Sequence, residues 1–169
     1  NNNTILNQTL KNHIESKINK INLILGYQKN IILKQINQNK IFIIENNNFK
    51  SGMLSSILKI NENISDETSG ILISLADMPF VTSDDINKLI KIFNENDQKI
   101  ICIPENKGKL GNPLLLPKEI YKDLIRDTSK LSNDEGLKKL ILNKKYNYIK
   151  VNLSEGVKKD FDTNEDFNL

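Results

Sequence analysis

The stretch Ile71-Leu-Ile-Ser-Leu-Ala-Asp-Met-Pro-Phe80 decides the fold. Its first half, Ile71 to Leu75, is a nearly continuous apolar run, which is typical of a strand buried on both faces in a parallel sheet. Pro79 lacks a backbone donor and ends such a strand. Asp77 is therefore expected at the carboxyl end of a strand, where open α/β sheets bind their ligands. A carboxylate at that place is suited to hold Mg²⁺ against a substrate phosphate.

Asp77 also has a plainer interpretation, as a cap for the helix that follows the strand. Thr82 and Ser83 already provide capping hydroxyls, and Asp84 and Asp85 supply negative charge to the first turn. Spacing alone leaves both interpretations of Asp77 open.

Strands and helices alternate along the rest of the chain. Apolar periodicity predicts strands over 21–25, 41–44, 71–75, 100–103, 114–116 and 146–153, and helices over 4–18, 51–60, 83–93 and 117–126, with a short helix or turn over 29–35 and a further helix capped by Ser132. Pro104 is expected to close the strand 100–103. The strand 114–116 follows too soon for a helical crossover, so we expect it to be irregular or antiparallel. The class is α/β, a largely parallel sheet flanked by helices, in one domain over residues 1–169.

Composition and charge argue against several classes of protein. The net charge is +3 with both signs mixed along the chain, which gives little reason to expect a nucleic-acid or membrane surface. The single cysteine, Cys102, excludes an internal disulfide and fits a reducing compartment, so we expect a cytoplasmic protein and interpret Cys102 as a core residue. No apolar run approaches the roughly 18 residues of a membrane span. His13 has no histidine or cysteine neighbours in the sequence, so a metal role for it is not expected.

Two stretches besides Asp77 are candidates to meet a ligand. Ser51-Gly-Met-Leu-Ser-Ser56 follows a strand and opens a helix, so its N–H groups and hydroxyls are suited to an anion or a base edge. Its plainer interpretation is a helix cap by Ser51. Lys109-Leu-Gly-Asn-Pro113 is interpreted as a flexible loop that closes over a substrate, or else as a plain turn.

A third candidate lies in the acidic tail. Asp160 and Asp162 are two positions apart on a segment expected to be extended, so their carboxylates point the same way and suit a shared cation. The alternative is a capping box formed by Thr163 and Asp166.

Taken in order, five motifs resemble the MobA-like nucleotidyltransferases, and within them the molybdenum cofactor cytidylyltransferases. The motifs are Gly52-Met-x-Ser-Ser56, Leu75-Ala-Asp-Met-Pro79 followed by Val81-Thr82, Gly111-Asn-Pro113, Asp134-Glu-Gly136 and Asp160-x-Asp-Thr-x-Glu-Asp166. The resemblance covers nearly the whole chain, and the second and fifth motifs are fairly specific when they occur together.

The resemblance implies a Rossmann-like nucleotidyltransferase fold and a reaction. The terminal phosphate of molybdopterin would attack the α-phosphorus of CTP in line and release pyrophosphate, with Mg²⁺ orienting the triphosphate. Asp77 matches the metal ligand of the family. Asp160 or Asp162 matches the second acidic position, and we favour Asp160 for the metal. A molybdoenzyme or its chaperone is a further expected partner, and no nucleic acid or membrane partner is expected.

The resemblance also implies roles for the other motifs. Gly52, Ser55 and Ser56 match the loop near the nucleotide, and Ala76, beside Asp77, is also expected to contact the nucleotide. Gly111, Asn112 and Pro113 match the segment that faces the second substrate. Within the class, GTP in place of CTP or a sugar phosphate as acceptor remains open. A domain that binds the molybdenum cofactor without transferring a nucleotide is the alternative outside it, and a plain interaction domain is disfavoured by the acidic clusters.

The family pattern begins with a strand and a glycine-rich loop that cradles the triphosphate, and nothing in this chain matches them. Asn1 aligns just after that loop, so about 20–30 residues would be absent, judged from ordinary strand and loop lengths. We therefore expect a fold without its first, central strand. The expectation is that the chain represents part of a longer enzyme and that these 169 residues alone do not turn over.

Overall fold

The computed structural model describes residues 4–36, 40–126, 137–143 and 146–160. The helices there are α1 (Ile5–Ile14), α2 (Lys29–Leu33), α3 (Met53–Ile60), α4 (Ser83–Glu95), α5 (Lys118–Arg126) and α6 (Leu137–Asn143). The strands are β1 (Ile21–Leu25), β2 (Ile41–Glu45), β3 (Gly70–Ile73), β4 (Ile101–Asn106), β5 (Lys109–Leu110), β6 (Leu114–Pro117) and β7 (Tyr148–Asn152). Short 3-10 helices lie at Phe49–Ser51, Asn61–Asn63 and Glu155–Lys158.

The described strands form two sheets. β1 and β2 pair in parallel, and the larger sheet has the order β3-β6-β4-β5, with β7 also pairing with β4. β7 runs parallel to β4, whereas β6 runs antiparallel to both β3 and β4. β3, β4 and β7 therefore share one direction, and their carboxyl ends meet at one edge of the sheet. The predicted α/β fold with a largely parallel sheet is confirmed, and so is the antiparallel strand at 114–116.

The prediction that Pro104 closes its strand is wrong. β4 continues to Asn106, and Pro104 lies opposite Val151 of β7. Proline lacks only the N–H, so its carbonyl still accepts a bond, from the Gly111 N–H at 2.8 Å. The chain then turns back through Lys107 and Gly108, whose φ values of 50° and 81° are those of a tight hairpin turn.

Several predicted boundaries shift by a few residues. β3 ends at Ile73, and α1 ends at Ile14 rather than at Ile18. α3 begins at Met53 and not at Ser51, because Ser51 belongs to a 3-10 helix and Gly52 is the residue that caps α3. The proposed cap by Ser51 is therefore wrong. The predicted cap at Ser132 lies outside the described residues.

Helices cover both faces of the larger sheet. Side chains alternate along its strands: Ile101 and Ile103 pack on the face covered by α3, α5 and α6, while Cys102 packs on the face covered by α4. Leu115 of β6 shares the α4 face. This double burial explains the continuous apolar runs in the sequence. Cys102 is fully buried, as expected of a core residue, and burial raises the pKa of its thiol to about 11.

His13 makes the stability of the fold depend on pH. The side chain is buried on α1, its Nδ1 lies 2.8 Å from the Thr9 carbonyl oxygen, and burial lowers its pKa below 6.5. The unfolded chain then binds more protons as the pH falls below 6.5, so this contribution to stability is present above that pH and is lost as the pH falls.

We therefore expect urea unfolding at pH 7.5 to show a larger free energy than at pH 5.5, and His13→Gln to reduce that difference. His13 is the only histidine, so no other imidazole contributes to this window. An identical pH dependence in the two proteins would contradict the assignment.

Candidate functional site

Asp77 lies in the connection between β3 and α4, at the carboxyl end of β3. Met78 and Val81 on its far side are fully buried in the core, and the Val81 N–H donates to the Met78 carbonyl. Asp77 itself is half-buried, and its Oδ1 atom is buried. The apolar anchors hold the carboxylate at the edge of the sheet, as the sequence predicts. Ala76 beside it is exposed.

α1 braces the same connection from the other side. The Asn12 side chain, itself largely buried, donates through Nδ2 to the carbonyl oxygens of Pro79 at 2.9 Å and Val81 at 2.8 Å. Gln8 donates in turn to Asn12 Oδ1 at 3.0 Å. Asn12 was not predicted from the sequence, although a polar residue on the apolar side of an amphipathic helix is a signal that could have identified it.

α4 begins with a complete capping box that leaves no capping role for Asp77. Thr82 is the N-cap and accepts from the Asp85 N–H at 3.1 Å, while Asp85 Oδ2 accepts from the Thr82 N–H at 3.1 Å and from its hydroxyl at 2.9 Å. The interpretation of Asp77 as a helix cap is therefore wrong.

Asp85 also joins α4 to the segment that leads to Asp160. Ser154 donates through its N–H to Asp85 Oδ1 at 3.0 Å and through its hydroxyl to Asp85 Oδ2 at 2.6 Å. Burial by itself raises the pKa of Asp85, but the hydrogen bonds from Ser154 and Thr82 outweigh it and hold the pKa below its usual value. The carboxylate is therefore ionised at neutral pH and accepts all of these bonds.

Two close backbone approaches join the Asp77 connection, Gly111 and the 3-10 helix Glu155–Lys158. A Cβ on Gly156 would lie 2.0 Å from the Phe80 carbonyl oxygen, so the 3-10 helix Glu155–Lys158 rests directly on the Asp77 connection. A Cβ on Gly111 would lie 2.2 Å from the Val157 carbonyl oxygen. The Asn112 N–H donates to that same oxygen at 2.9 Å.

These contacts bring three predicted segments together: the Asp77 connection, Gly111-Asn-Pro113, and the segment that ends at Asp160. We call the place where they meet the junction. Asp160 is exposed, two residues after the 3-10 helix. The second candidate acid, Asp162, lies outside the described residues, as do Thr163 and Asp166.

The interpretation of 109–113 as a flexible loop is wrong. Lys109 and Leu110 form strand β5, paired with Asn106 and Glu105. Pro113 is buried and follows a cis peptide bond. On either side of Gly111, Leu110 pairs with Glu105 and the Asn112 N–H donates to the Val157 carbonyl. The segment is thus a fixed wall of the site, because its backbone is bonded to β4 and to the 3-10 helix.

Gly52, Ser55 and Ser56 form a second group, organised by Asn46 at the end of β2. Asn46 is 1% exposed and donates through Nδ2 to the hydroxyl oxygens of Ser55 at 2.8 Å and Ser56 at 3.0 Å. Ser55 donates in turn to the Gly52 carbonyl at 2.8 Å. Gly52 has a φ of 83°, a conformation that favours glycine. Asn46 was not among the candidates predicted from the sequence, although a polar residue at the carboxyl end of a parallel strand is the same signal that marked Asp77.

Asn46→Ala is expected to lower the free energy of unfolding by about 2–3 kcal/mol, since it removes several hydrogen bonds inside the protein. Besides its bonds to the two serines, Asn46 accepts from the Asn48 N–H at 2.9 Å. Urea denaturation measures the change. Asn47→Ala, at an exposed neighbouring position, is the matched control and is expected to change little. Equal stability of the two variants would show that Asn46 does not organise the group.

The charges around Asp160 suit a cation and a phosphate. Burial lowers the pKa of Lys138 on α6, and the nearby Asp160 carboxylate acts in the opposite direction. The Lys159 ammonium lies 5.9 Å from the centre of the Phe80 ring, beside the Asp77 connection. Asp77, Asp160 and Lys159 thus belong to the segments that meet at this edge of the sheet, and Lys138 of α6 lies close enough to Asp160 to feel its charge.

Within residues 4–36, 40–126, 137–143 and 146–160, no three His, Cys, Asp or Glu side chains are grouped as a metal site made by protein alone. The oxygen donors of Asp77 and Asp160 nevertheless fit Mg²⁺, which usually takes one or two carboxylates and completes its shell with water and substrate phosphate. In the same part of the chain, no helix combines the length and apolar character needed to cross a membrane.

Comparison with known proteins identifies relatives for nearly the whole chain. Residues 1–147 match the MobA-like NTP transferase domain family. A molybdenum cofactor cytidylyltransferase of Escherichia coli (strain K12) is 27% identical over 124 residues, which are 73% of this chain. The matched region spans 61% of that relative's length.

Solved structures share the fold at low sequence identity. The homologue of Mycobacterium tuberculosis rv0371c from Mycobacterium sp. strain JC1 matches with a TM-score of 0.81 and 20% identity, over 97% of this chain and 79% of the other. Rv0371c of M. tuberculosis H37Rv, solved in complex with manganese, gives 0.79 and 18%, over 97% and 84%. The 2-C-methyl-D-erythritol 4-phosphate cytidylyltransferase of Thermus thermophilus gives 0.71 and 11%, over 96% and 85%.

Proposed function

The chain belongs to the MobA-like NTP transferase family, and from that membership we propose that it forms part of a Mg²⁺-dependent cytidylyltransferase acting on molybdopterin. The observation that carries the proposal is the contact of the Asp77 connection with the 3-10 helix that leads to Asp160, which brings the two segments that bear these carboxylates together. The molybdenum cofactor cytidylyltransferase of E. coli, similar over 73% of this chain, supports the choice of acceptor and nucleotide.

In the proposed reaction, an oxygen of the terminal phosphate of molybdopterin attacks the α-phosphorus of CTP. The bond between the α-phosphorus and the bridging oxygen to the β-phosphate breaks, pyrophosphate leaves with that electron pair, and CMP is joined to the acceptor phosphate. A bound Mg²⁺ would neutralise charge on the triphosphate as the transfer proceeds. No residue of the chain needs to act as a covalent nucleophile, because this chemistry depends on positioning and electrostatic stabilisation.

Each group in the site has a part in that positioning. Asp77 and Asp160 would hold the cation, with Asp162 as the other candidate. The Gly52, Ser55 and Ser56 group would contact the nucleotide, and Ala76 would lie beside it. Gly111, Asn112 and Pro113 would face the acceptor as a fixed wall, since the Asn112 N–H is bonded to Val157. A molybdoenzyme or its chaperone would receive the product.

A second candidate within the class is transfer from GTP, or transfer to a sugar phosphate. The third is a domain that binds the cofactor without transferring a nucleotide. The Gly52-Met-x-Ser-Ser56 motif favours the cytidylyl branch by resemblance.

A comparison of the affinities for CTP and for GTP tests which nucleotide the protein uses. In isothermal titration calorimetry of the full-length protein with Mg²⁺, we expect CTP to bind at least about tenfold more tightly than GTP, because a site that hydrogen-bonds one base leaves its polar groups unpaired against another. Tighter binding of GTP would support the guanylyl alternative. A protein that binds molybdopterin but neither CTP nor GTP would support the non-catalytic alternative.

A further inference from the structure

The carboxylate of Asp85 lies between the two segments that carry the proposed metal ligands. It is only 7% exposed and is on the first turn of α4, immediately after the Asp77 connection. Its Oδ2 accepts from the N–H and the hydroxyl of Thr82 and from the hydroxyl of Ser154, and its Oδ1 accepts from the Ser154 N–H. A helix cap needs only the bonds with Thr82. The two bonds from Ser154, a residue 69 positions away, need another explanation.

Ser154 is the residue from which the path to Asp160 starts. It is the N-cap of the 3-10 helix Glu155–Lys158, and its carbonyl accepts from the Val157 N–H. Asp160 follows that helix after one intervening residue, Lys159. The place of Ser154 therefore sets where the 3-10 helix begins, and through that short helix the place of Asp160.

A second contact from α4 supports the same link. Lys88, one turn further along α4 than Asp85, donates to the Asn152 carbonyl at 2.8 Å. α4 thus holds both the last residue of β7 and the start of the 3-10 helix. The connection that carries Asp77 leads into the same helix. Both segments that carry a candidate ligand are therefore attached to α4.

We propose that Asp85 is a positioning residue: by accepting hydrogen bonds from Ser154, it fixes Asp160 relative to Asp77 and so sets the affinity of their shared cation. This inference rests on the proposed function, because it takes Asp77 and Asp160 as the two metal ligands. Asp85 itself does not touch the cation or the nucleotide; it acts through Ser154.

Ser154→Ala tests the link without disturbing the helix cap, because Thr82 and Asp85 keep their own bonds. We expect this variant to lose about five- to tenfold in affinity for Mn²⁺, measured from the electron paramagnetic resonance signal of free Mn²⁺. Ser154→Thr keeps the hydroxyl and is expected to stay within about twofold of the parent. Ser65→Ala, in the exposed loop before β3, is the matched control and is expected to bind as the parent does.

Hydrogen exchange supplies a readout that does not depend on metal. In Ser154→Ala, the amides of residues 155–160 are expected to exchange faster, while those of α4 keep their protection. Thr82→Ala is expected to show the reverse pattern, because it weakens the cap of α4 and leaves the bonds between Ser154 and Asp85 in place.

Equal Mn²⁺ affinity in Ser154→Ala and Ser65→Ala would overturn the positioning role and leave the proposed function standing. Failure of the parent protein to bind Mn²⁺ would overturn the proposed metal site, and the positioning role with it. Faster exchange at 155–160 with unchanged Mn²⁺ affinity would show that Asp85 has a purely structural role, which also overturns the inference.

Discussion

Replacing Asp77 and Asp160 together by asparagine is expected to abolish binding of a divalent cation while leaving the fold intact. Each substitution keeps the shape of the side chain and removes one negative charge, and hard cations bind carboxylate oxygen far better than amide oxygen in such sites. We expect the affinity for Mn²⁺ to fall by at least about a hundredfold, because both charged ligands are lost and even changes to the partners of metal ligands cost about 10–100-fold. Electron paramagnetic resonance of free Mn²⁺ measures it, and circular dichroism checks the fold.

The matched control is Asp66→Asn with Asp97→Asn, two exposed aspartates away from the junction. Asparagine tolerates the positive φ at Asp97. The control pair has the same change in net charge, so it separates loss of ligands from loss of general attraction. Equal Mn²⁺ binding in the two double variants would show that Asp77 and Asp160 are not the ligands.

Gly156→Ala is expected to force the 3-10 helix away from the Asp77 connection. The added Cβ would lie 2.0 Å from the Phe80 carbonyl oxygen, and because that atom belongs to the backbone, relief requires movement of one segment. Over-packing of this kind lowers the free energy of unfolding by about 1–3 kcal/mol. We expect a loss in that range by urea denaturation, together with weaker Mn²⁺ binding, because the two candidate ligands are moved apart.

Gly108→Asn is the control for a change at glycine. Gly108 has a φ of 81° in the hairpin turn after β4, and a Cβ there would meet no atom within 4 Å. Asparagine accepts this backbone conformation, so little change is expected. If Gly156→Ala were as stable as Gly108→Asn and bound Mn²⁺ equally well, the close approach of the two segments would be refuted.

The place of Asp77 was predictable because its signal is local. An apolar run long enough for a buried strand, followed by a proline, fixes where a carboxylate meets the edge of a sheet. The antiparallel strand after Ile103 was predictable for a related reason, since a short connection has no room for a helical crossover. The prediction for Pro104 is wrong because the missing N–H of a proline does not end a strand whose carbonyl still accepts a hydrogen bond.

The ties that build the junction have no local signal. Asn12 reaches Val81 across 69 positions, and Ser154 reaches Asp85 across the same separation. Each pair is formed by ordinary polar residues whose partners only the fold brings near. The close backbone contacts at Gly111 and Gly156 have no local signal either, because the lack of a side chain that permits them is shared by every glycine in an ordinary turn. Asp77 and the segment leading to Asp160 were therefore predictable as candidates, but what holds them together was not.

Titration of CTP into the full-length protein by calorimetry, with Mg²⁺ and again with EDTA, tests most directly whether the junction is a metal–nucleotide site. We predict saturable binding with Mg²⁺ that is lost in EDTA, because the cation joins the Asp77 and Asp160 carboxylates to the triphosphate. Binding of equal strength in EDTA, or no binding of CTP or GTP with Mg²⁺ present, would contradict the site and the proposed nucleotidyltransferase mechanism.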